Sequence, residues 1–342
     1  MTQFIPTPPT PSKPGSFPPT PSSTKIPIAP PPWTLRAKSW TFLYTDPPSS
    51  SPDPPQNPNN TPQILQDNLP AGSYHPLETI HASALERLAN GSPQYQKSWL
   101  KAVMIIRYEE TDIGPYDELI LVPGRAMNPS TGKAEMRISN IYVSTDASVW
   151  NGRRNWSTSS SLTPSSPTPP FSSRVNKANG WVVRADIPKH RATFIFTPLP
   201  HSNATELRVY HPPNTPAPLD PSRPFFTVLL KDSALPTIPL PRLAPIPIVQ
   251  PPLARSRWPP GIQDAVIGTD DPENGRENPW LRIWPSFKGR WGLAYADTLR
   301  DEEGEEGLEF YGDGVGFPRV RFRAVGAYFE GVVGFGVADV VG

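Results

Sequence analysis

Residues 100–122 read LKAVMIIRYEETDIGPYDELILV, two apolar runs separated by a polar segment. The runs 100–108 and 118–122 are rich in β-branched and large aliphatic residues, which fit the pleated surface of a sheet. Gly114 and Pro115 lie between them, and both residue types interrupt regular structure. The sequence therefore predicts two short strands here.

Similar runs recur along the rest of the chain and predict a mainly β protein. They lie at 137–144, 193–197, 205–211, 225–230, 320–322 and 328–341. Because few helical patterns intervene, these strands favour a closed or nearly closed sheet, in which no edge is left exposed. One peripheral helix is predicted at 76–90, where apolar residues recur at helical spacing between Ser73 and Gly91.

Proline is abundant and clustered, with 51 prolines among 342 residues. Proline fixes φ and lacks a backbone donor, so it is excluded from helix interiors and from most ladder positions. We predict a disordered tail at 1–32 and low-complexity loops near 47–70, 157–185 and 212–224. The segment 157–185 has a second interpretation, an intron retained as coding sequence, which sequencing of a transcript would test.

Composition argues against several classes of function. The net charge is +1 without a basic cluster, so nucleic acid is not an expected partner. Cysteine is absent and the five histidines lack ligand spacing, so no metal or other cofactor is predicted. No stretch approaches the roughly 20 apolar residues of a membrane span, and the N-terminus has no secretory pattern. We therefore expect a soluble, cytoplasmic protein.

Five motifs occur in an order typical of one superfamily. They are AVMIIRY at 102–108, IGPYDEL at 113–119, RISNIYV at 137–143, Asn-Gly-Arg at 151–153 and Ile-Pro-Lys-His at 187–190. In this order they resemble acetoacetate decarboxylase-like proteins, and the chain looks like a fungal-type member. The resemblance covers about Trp33 to His201, with weaker support from Trp280 onward.

The resemblance implies a single domain, 33–342, built on a β-barrel whose interior pocket holds an imine-forming lysine. That lysine is Lys189. An ammonium is not a nucleophile, so imine formation near neutral pH requires an amine whose pKa lies well below the lysine reference of about 10.4. Burial in an apolar pocket or a nearby cation supplies such a shift, as in the decarboxylases themselves. The protonated imine then acts as an electron sink.

Other positions match the family only in part. Glu118 ends the Gly-x-Tyr-x-Glu motif and is a candidate proton relay, although it could instead pair with Arg153 or Arg137. The second of the family's two adjacent lysines is His190 here. If this segment is extended, His190 points away from Lys189, so burial rather than a neighbouring cation would activate the amine.

Three further expectations concern substrate contacts. Arg153, Arg137, Tyr116 and His190 are the candidate substrate-binding residues, with the arginines suited to bidentate anion binding or to ion pairs at the rim. A second carboxylate expected in the preceding strand falls near Val103, and the glutamate after Gly-Arg is Arg154. The arginine that meets the substrate carboxylate has no clean match, since both Arg36 and Lys38 lie near its place.

Three functions remain open. The first is a carbon–carbon lyase, decarboxylase-like, that forms an imine with a β-keto acid or a related small carbonyl compound, in secondary metabolism. The second is a non-catalytic barrel that binds a small molecule, and the third is a proline-rich interaction protein. A homo-oligomer is compatible with the sequence, which does not define the oligomeric state.

Overall fold

The computed structural model describes about three fifths of the chain. Its described residues are 26–27, 29, 31–46, 69–78, 80, 82–85, 87–88, 90–91, 94–96, 100–128, 131–154, 187–241, 246–251, 280–299, 310–323 and 325–341. Most of the predicted tail at 1–32, most of the loop near 47–70, and the whole of 157–185 lie outside them.

Strands dominate this part of the chain, as the sequence predicts. The strands are β1 Trp33–Thr45, β2 Tyr95–Gln96, β3 Ala102–Glu110, β4 Tyr116–Val122, β5 Gly124–Met127, β6 Ala134–Arg137, β7 Asn140–Val143, β8 Lys189–Arg191, β9 Thr193–Pro198, β10 Ala204–Tyr210, β11 Pro224–Asp232, β12 Ile238–Pro239, β13 Ile248–Gln250, β14 Trp280–Ile283, β15 Pro285–Asp297, β16 Arg321–Phe322, β17 Gly326–Phe335 and β18 Asp339–Val341. The helices are α1 Ala82–Leu85 and α2 Asp146–Arg154.

The larger of two sheets has twelve strands and is nearly closed into a barrel. Its main path runs β8-β7-β4-β3-β1-β17-β15-β11-β10-β9, with β12 paired to β15 and β16 paired to β1. The two end strands, β8 and β9, follow one another in sequence with only Ala192 between them. The chain therefore passes directly from one edge of the sheet to the other, which requires the sheet to curl round on itself.

The two faces of this sheet bury different apolar clusters. One cluster draws side chains from all round the sheet, including Phe42, Leu119 and Phe226, and fills the barrel. Alternate residues, such as Ile106 and Ile120, belong to a second cluster on the opposite face. This alternation explains the near-continuous apolar runs of β3 and β4, whose two faces are both buried.

The smaller sheet covers part of that second face. It has six strands in the order β18-β14-β13-β6-β5-β2, and its residues Met136 and Ile283 join the second cluster. The space between the two sheets holds the cavity described below. Large aromatic and aliphatic side chains of the first cluster pack on the other face of the large sheet.

The predicted helix at 76–90 is wrong in extent, because among the described residues of this segment only Ala82–Leu85 is helical. Residues 75–78 form a turn instead, in which the Glu78 amide donates to the His75 carbonyl. Ser73 does not cap a helix but donates its hydroxyl to the carbonyl of Pro70 at 2.6 Å. The side chain of Glu78 enters a buried ionic cluster, and this tertiary contact overrides the helical pattern.

The structure describes residues at two predicted boundaries, the start of the domain at residue 33 and the loop near 212–224. The packed part of the chain begins before residue 33, because Ala29 is buried and its amide donates to the side-chain oxygen of Asn151. Between β10 and β11, residues 211–223 form turns without regular structure. Among the described residues, no helix has the length and apolar character needed to cross a membrane.

Candidate functional site

The site is a cavity of about 520 Å³ between the two sheets. Its wall is almost entirely apolar, with Met104, Ile120 and Ile141 from the large sheet facing Ile248 and Ile283 from the small one. A volume of this size accommodates a small organic molecule rather than a few waters. The polar side chains that reach the cavity are few, and several of them converge at one end.

Lys189 and Glu118 form a buried ion pair at that end. Lys189 is 8% exposed and Glu118 is 4% exposed. The Nζ of Lys189 donates to Oε2 of Glu118 at 2.8 Å and to the hydroxyl of Ser148 at 3.2 Å. Because the surroundings are apolar, neither charge is solvated by bulk water, and each depends on the other for compensation.

Strand β8 places Lys189 in the cavity. It pairs in parallel with β7, so that Ile141 lies opposite Lys189 and Tyr142 lies opposite His190. Successive side chains of a strand point to opposite faces. Lys189 therefore faces the cavity, whereas His190 faces the barrel side. The ring of His190 stacks on that of His75, with 3.7 Å between the ring centroids.

Helix α2 supplies the other wall of the site. It begins after Thr145, whose hydroxyl accepts from the amide of Ser148 at 3.2 Å, the usual arrangement of an N-cap. The helix carries Ser148 and Gly152 past the lysine side chain. A Cβ atom on Gly152 would lie 2.5 Å from Cδ of Lys189, so only glycine leaves room for the chain to reach Glu118.

Two tyrosines adjoin the ion pair. The Nζ of Lys189 lies 5.5 Å from the ring centroid of Tyr116, whose hydroxyl is hydrogen-bonded with Ser148. Tyr108 stacks obliquely on Tyr116 at 4.6 Å. Burial, and then the charge of Glu118, raise the pKa of both phenols well above the usual value. Both hydroxyls therefore stay protonated and can donate hydrogen bonds.

Arg153 does not line the cavity and is not placed to bind a substrate there. Its Nε donates to the backbone carbonyl of Lys189 at 2.7 Å, and its guanidinium pairs with the buried carboxylate of Glu78. Glu78 also lies 2.7 Å from Nε2 of His190. Arg153 thereby links Glu78 to the backbone of the strand that carries Lys189.

The ionic cluster around Glu78 shows strong electrostatic effects. Burial opposes ionisation of Glu78, but the charges and hydrogen bonds of Arg153 and His190 outweigh it and lower the pKa to about 2. Burial lowers the pKa of His190, although Glu78 opposes this shift. Burial likewise lowers the pKa of His75 well below its usual value, and that of His211 to about 4. These histidines are therefore neutral near pH 7.

Arg137 is likewise outside the lining of the cavity. It is 1% exposed, donates to Gln94 and to the hydroxyl of Tyr74, and lies 4.8 Å from the ring centroid of Tyr95. His190, the fourth candidate for substrate binding, faces the barrel side. Tyr116 is the one of the four that lines the cavity.

The positions that depart from the family pattern also lie apart from the cavity. Val103 belongs to the barrel interior, so β3 contributes no carboxylate beside Lys189. Lys38 pairs with Glu109 at 2.8 Å, and Arg36 pairs with Glu109 and Glu110. Neither of these two cations lines the cavity.

Sequence reasoning missed three residues of the site. Ser148 and Glu78 have no motif of their own, and Gly152 was quoted only as part of a motif. The sequence does contain one signal for helix α2, because Thr145-Asp146 is followed by apolar residues and then by two arginines, as in a capped helix. A helix predicted at this position would have placed Ser148 and Gly152 on the same face, one turn apart.

Comparison with solved structures finds similar folds at low sequence identity. The chain is similar to acetoacetate decarboxylase from Legionella pneumophila, with a TM-score of 0.45, 10% identity, and coverage of 95% of this chain and 92% of that one. It is also similar to the enduracididine biosynthesis enzyme MppR in complex with pyruvate (TM-score 0.42, 10% identity, 92% of each chain). A third is an acetoacetate decarboxylase-like enzyme from Sphingomonas wittichii RW1 (TM-score 0.35, 12% identity, 91% of each chain).

No family model and no curated protein matches the chain by sequence. Within the described ranges, no group of three or more His, Asp or Glu side chains is arranged to hold a metal ion.

Gly152 provides a test of how the lysine is positioned. Gly152→Ala is expected to withdraw Nζ of Lys189 from hydrogen-bonding distance of Glu118 and to destabilise the fold by about 1–3 kcal/mol, the usual effect of overpacking a closed site. A crystal structure and urea unfolding of the variant measure both effects. Gly336→Ala is the matched control, because no atom lies within 4 Å of its added Cβ. An unchanged Lys189–Glu118 distance in the variant would contradict the assignment.

The buried histidines predict acid sensitivity. As the pH falls below about 6.5, the unfolded chain takes up a proton that folded His211 accepts only near pH 4. The free energy of unfolding should therefore fall between pH 7 and pH 4.5, by roughly 2–3 kcal/mol from His211 alone. The stabilisation from Glu78 stays intact over this range, since it is lost only below about 4.5, toward its folded pKa of about 2.

Urea unfolding across this pH range measures the effect. His211→Leu should reduce the pH dependence of the free energy of unfolding. His201→Asn should leave that dependence unchanged, because His201 is exposed and has a positive φ that asparagine tolerates. Equal slopes for the wild type and His211→Leu would exclude a buried neutral His211.

Proposed function

We propose that the protein is a carbon–carbon lyase of the acetoacetate decarboxylase type, in which Lys189 forms an imine with a β-keto acid or a related small carbonyl compound. One observation carries this proposal. The amine of Lys189 reaches an apolar cavity at 8% exposure, with the carboxylate of Glu118 at 2.8 Å as its partner. A structural lysine would rarely be placed there, since burial of a charge is unfavourable unless it serves another end.

The ion pair contains the proton acceptor that imine formation needs. Glu118 takes a proton from the ammonium, and the neutral amine attacks the carbonyl carbon, breaking the C=O π bond and giving a carbinolamine. The protonated Glu118 then returns its proton to the departing hydroxyl, which leaves as water. The products are an iminium ion on Lys189, one water molecule and the carboxylate of Glu118.

The iminium ion supplies the driving force for the later step. Electrons released when a bond to the α-carbon breaks flow into the C=N bond and form an enamine, which a proton then quenches. Ser148 and Tyr116 lie beside the amine and provide neutral hydrogen-bond donors for the carbinolamine oxygen. Lys189 and Glu118 are buried, and burial in apolar surroundings strengthens the electrostatic interactions between them.

A second function, non-catalytic binding of a small molecule, is favoured by the same ion pair. The carboxylate of Glu118 lies 2.8 Å from Nζ of Lys189 and forms an ion pair with it. If the proton remains on the amine, the cavity binds a ligand without reacting with it. The two functions differ in whether a covalent bond forms to Lys189.

Reductive trapping separates the two functions. Incubation with simple ketones and borohydride should attach the ketone to Lys189 through a secondary amine, which peptide mass spectrometry detects. Lys189→Arg keeps the charge but removes the primary amine, so the adduct should disappear, a loss of at least about a hundredfold. Glu118→Gln should slow trapping at least about tenfold, because it removes the proton acceptor.

Lys231→Arg is the matched control, since this lysine is partly exposed, pairs with Asp297 and does not line the cavity. Its trapping should equal that of the wild type. Ligand binding without any adduct on Lys189 would establish the non-catalytic function instead.

A further inference from the structure

The cavity extends well beyond the lysine along one row of side chains. Cross-strand neighbours on a single face line the wall in the order Lys189, Ile141, Ile120, Met104 and Thr41, on β8, β7, β4, β3 and β1. Adjacent strands are about 4.8 Å apart, so these four steps give a wall of about 19 Å. A four-carbon keto acid bound at the lysine would cover only a small part of it.

The opposite wall and the rim are apolar as well. Met136, Ile248 and Ile283 of the small sheet face the row, and Val333 and Phe335 continue the lining on β17. Two lining residues are also exposed to solvent, Ile246 at 58% and Phe287 at 44%. Exposed large apolar side chains at the edge of an apolar cavity mark an entrance suited to an apolar molecule.

The charges of the cavity disfavour an anionic ligand. Among the described lining residues, Lys189 is the only cation, and Glu118 and Asp112 are the carboxylates. A carboxylate on the substrate would be buried without a cation of its own and would face these acidic groups. The other cations considered for binding a substrate carboxylate have partners outside the cavity; they are Arg36, Lys38, Arg137 and Arg153.

We propose that the substrate is a ketone or aldehyde with an extended hydrocarbon chain and no carboxylate. The carbonyl carbon meets Lys189, and the chain lies along the row of side chains toward Thr41. This inference rests on the proposed imine chemistry and narrows its substrate class. The bond that breaks after imine formation is then an α C–H bond rather than a bond to carbon dioxide.

Glu118 is placed to act as the base in this step. The proton of the α-carbon passes to the Glu118 carboxylate, and the electrons of that bond form the C=C bond of the enamine. The C=N electrons return to nitrogen as a lone pair. Reprotonation and hydrolysis restore the lysine, or the enamine adds to a second carbonyl compound.

Two matched probe pairs test the substrate class on the full-length protein. Acetone and methyl nonyl ketone differ in chain length, and levulinate and its methyl ester differ in charge. Each is trapped on Lys189 with borohydride, and mass spectrometry gives the half-saturating concentration. We expect a value at least about tenfold lower for methyl nonyl ketone than for acetone, because the added methylenes become buried. The half-saturating concentration of the ester should be at least about tenfold lower than that of levulinate, because the ester buries no charge.

A variant tests the position of the chain. Thr41→Trp fills the far end of the row. The half-saturating concentration of acetone divided by that of methyl nonyl ketone should therefore fall toward one. Thr45→Trp, on the same strand but exposed and outside the lining, should keep the wild-type ratio.

The outcomes separate this inference from the proposed function. Adducts on Lys189 that show no gain with chain length, or that favour levulinate over its ester, overturn the substrate class and leave the imine chemistry intact. No adduct with any of the four probes contradicts the proposed function and, with it, this inference.

Discussion

The three-residue strand β8 is the constraint on which the site depends. It forms one edge of the large sheet and is followed after a single residue by β9 at the other edge, so its position is fixed by closure of the barrel. Alternation then sends Lys189 into the cavity and His190 into the buried cluster with Glu78. Arg153 joins the two, because it binds both Glu78 and the carbonyl of Lys189. The amine is therefore held by backbone geometry rather than by its own flexible chain.

Conservation of charge explains why an apolar cavity suits imine chemistry. An ammonium and an iminium both carry one positive charge, so Glu118 compensates the nitrogen before and after the ketone binds. The buried pair is unfavourable to assemble, and the fold maintains it through the close passage of Lys189 past Gly152. A substrate without charge leaves this balance undisturbed, whereas a carboxylate would require a second cation that the described lining lacks.

Sequence reasoning predicted the fold class and several strands, because β3, β4 and the strands from β9 to β11 are marked by local apolar runs. It missed β1, the longest partner of β3, whose mixture of charged and aromatic residues gives a weaker local signal. It placed the candidate lysine and Glu118 by motif, and the structure brings them together. It could not place Arg153 or Arg137, because their partners Glu78 and Gln94 lie far away in sequence and only the tertiary fold unites them.

Hydrogen–deuterium exchange at the α-carbon of a bound ketone tests the central claim most directly, since it requires passage through the imine and the enamine. Methyl nonyl ketone in deuterated buffer, followed by NMR, should lose its α-protons in the presence of the protein at a rate well above that in buffer. Lys189→Arg should abolish this exchange. Binding of the ketone with exchange no faster than in buffer would contradict an imine at Lys189.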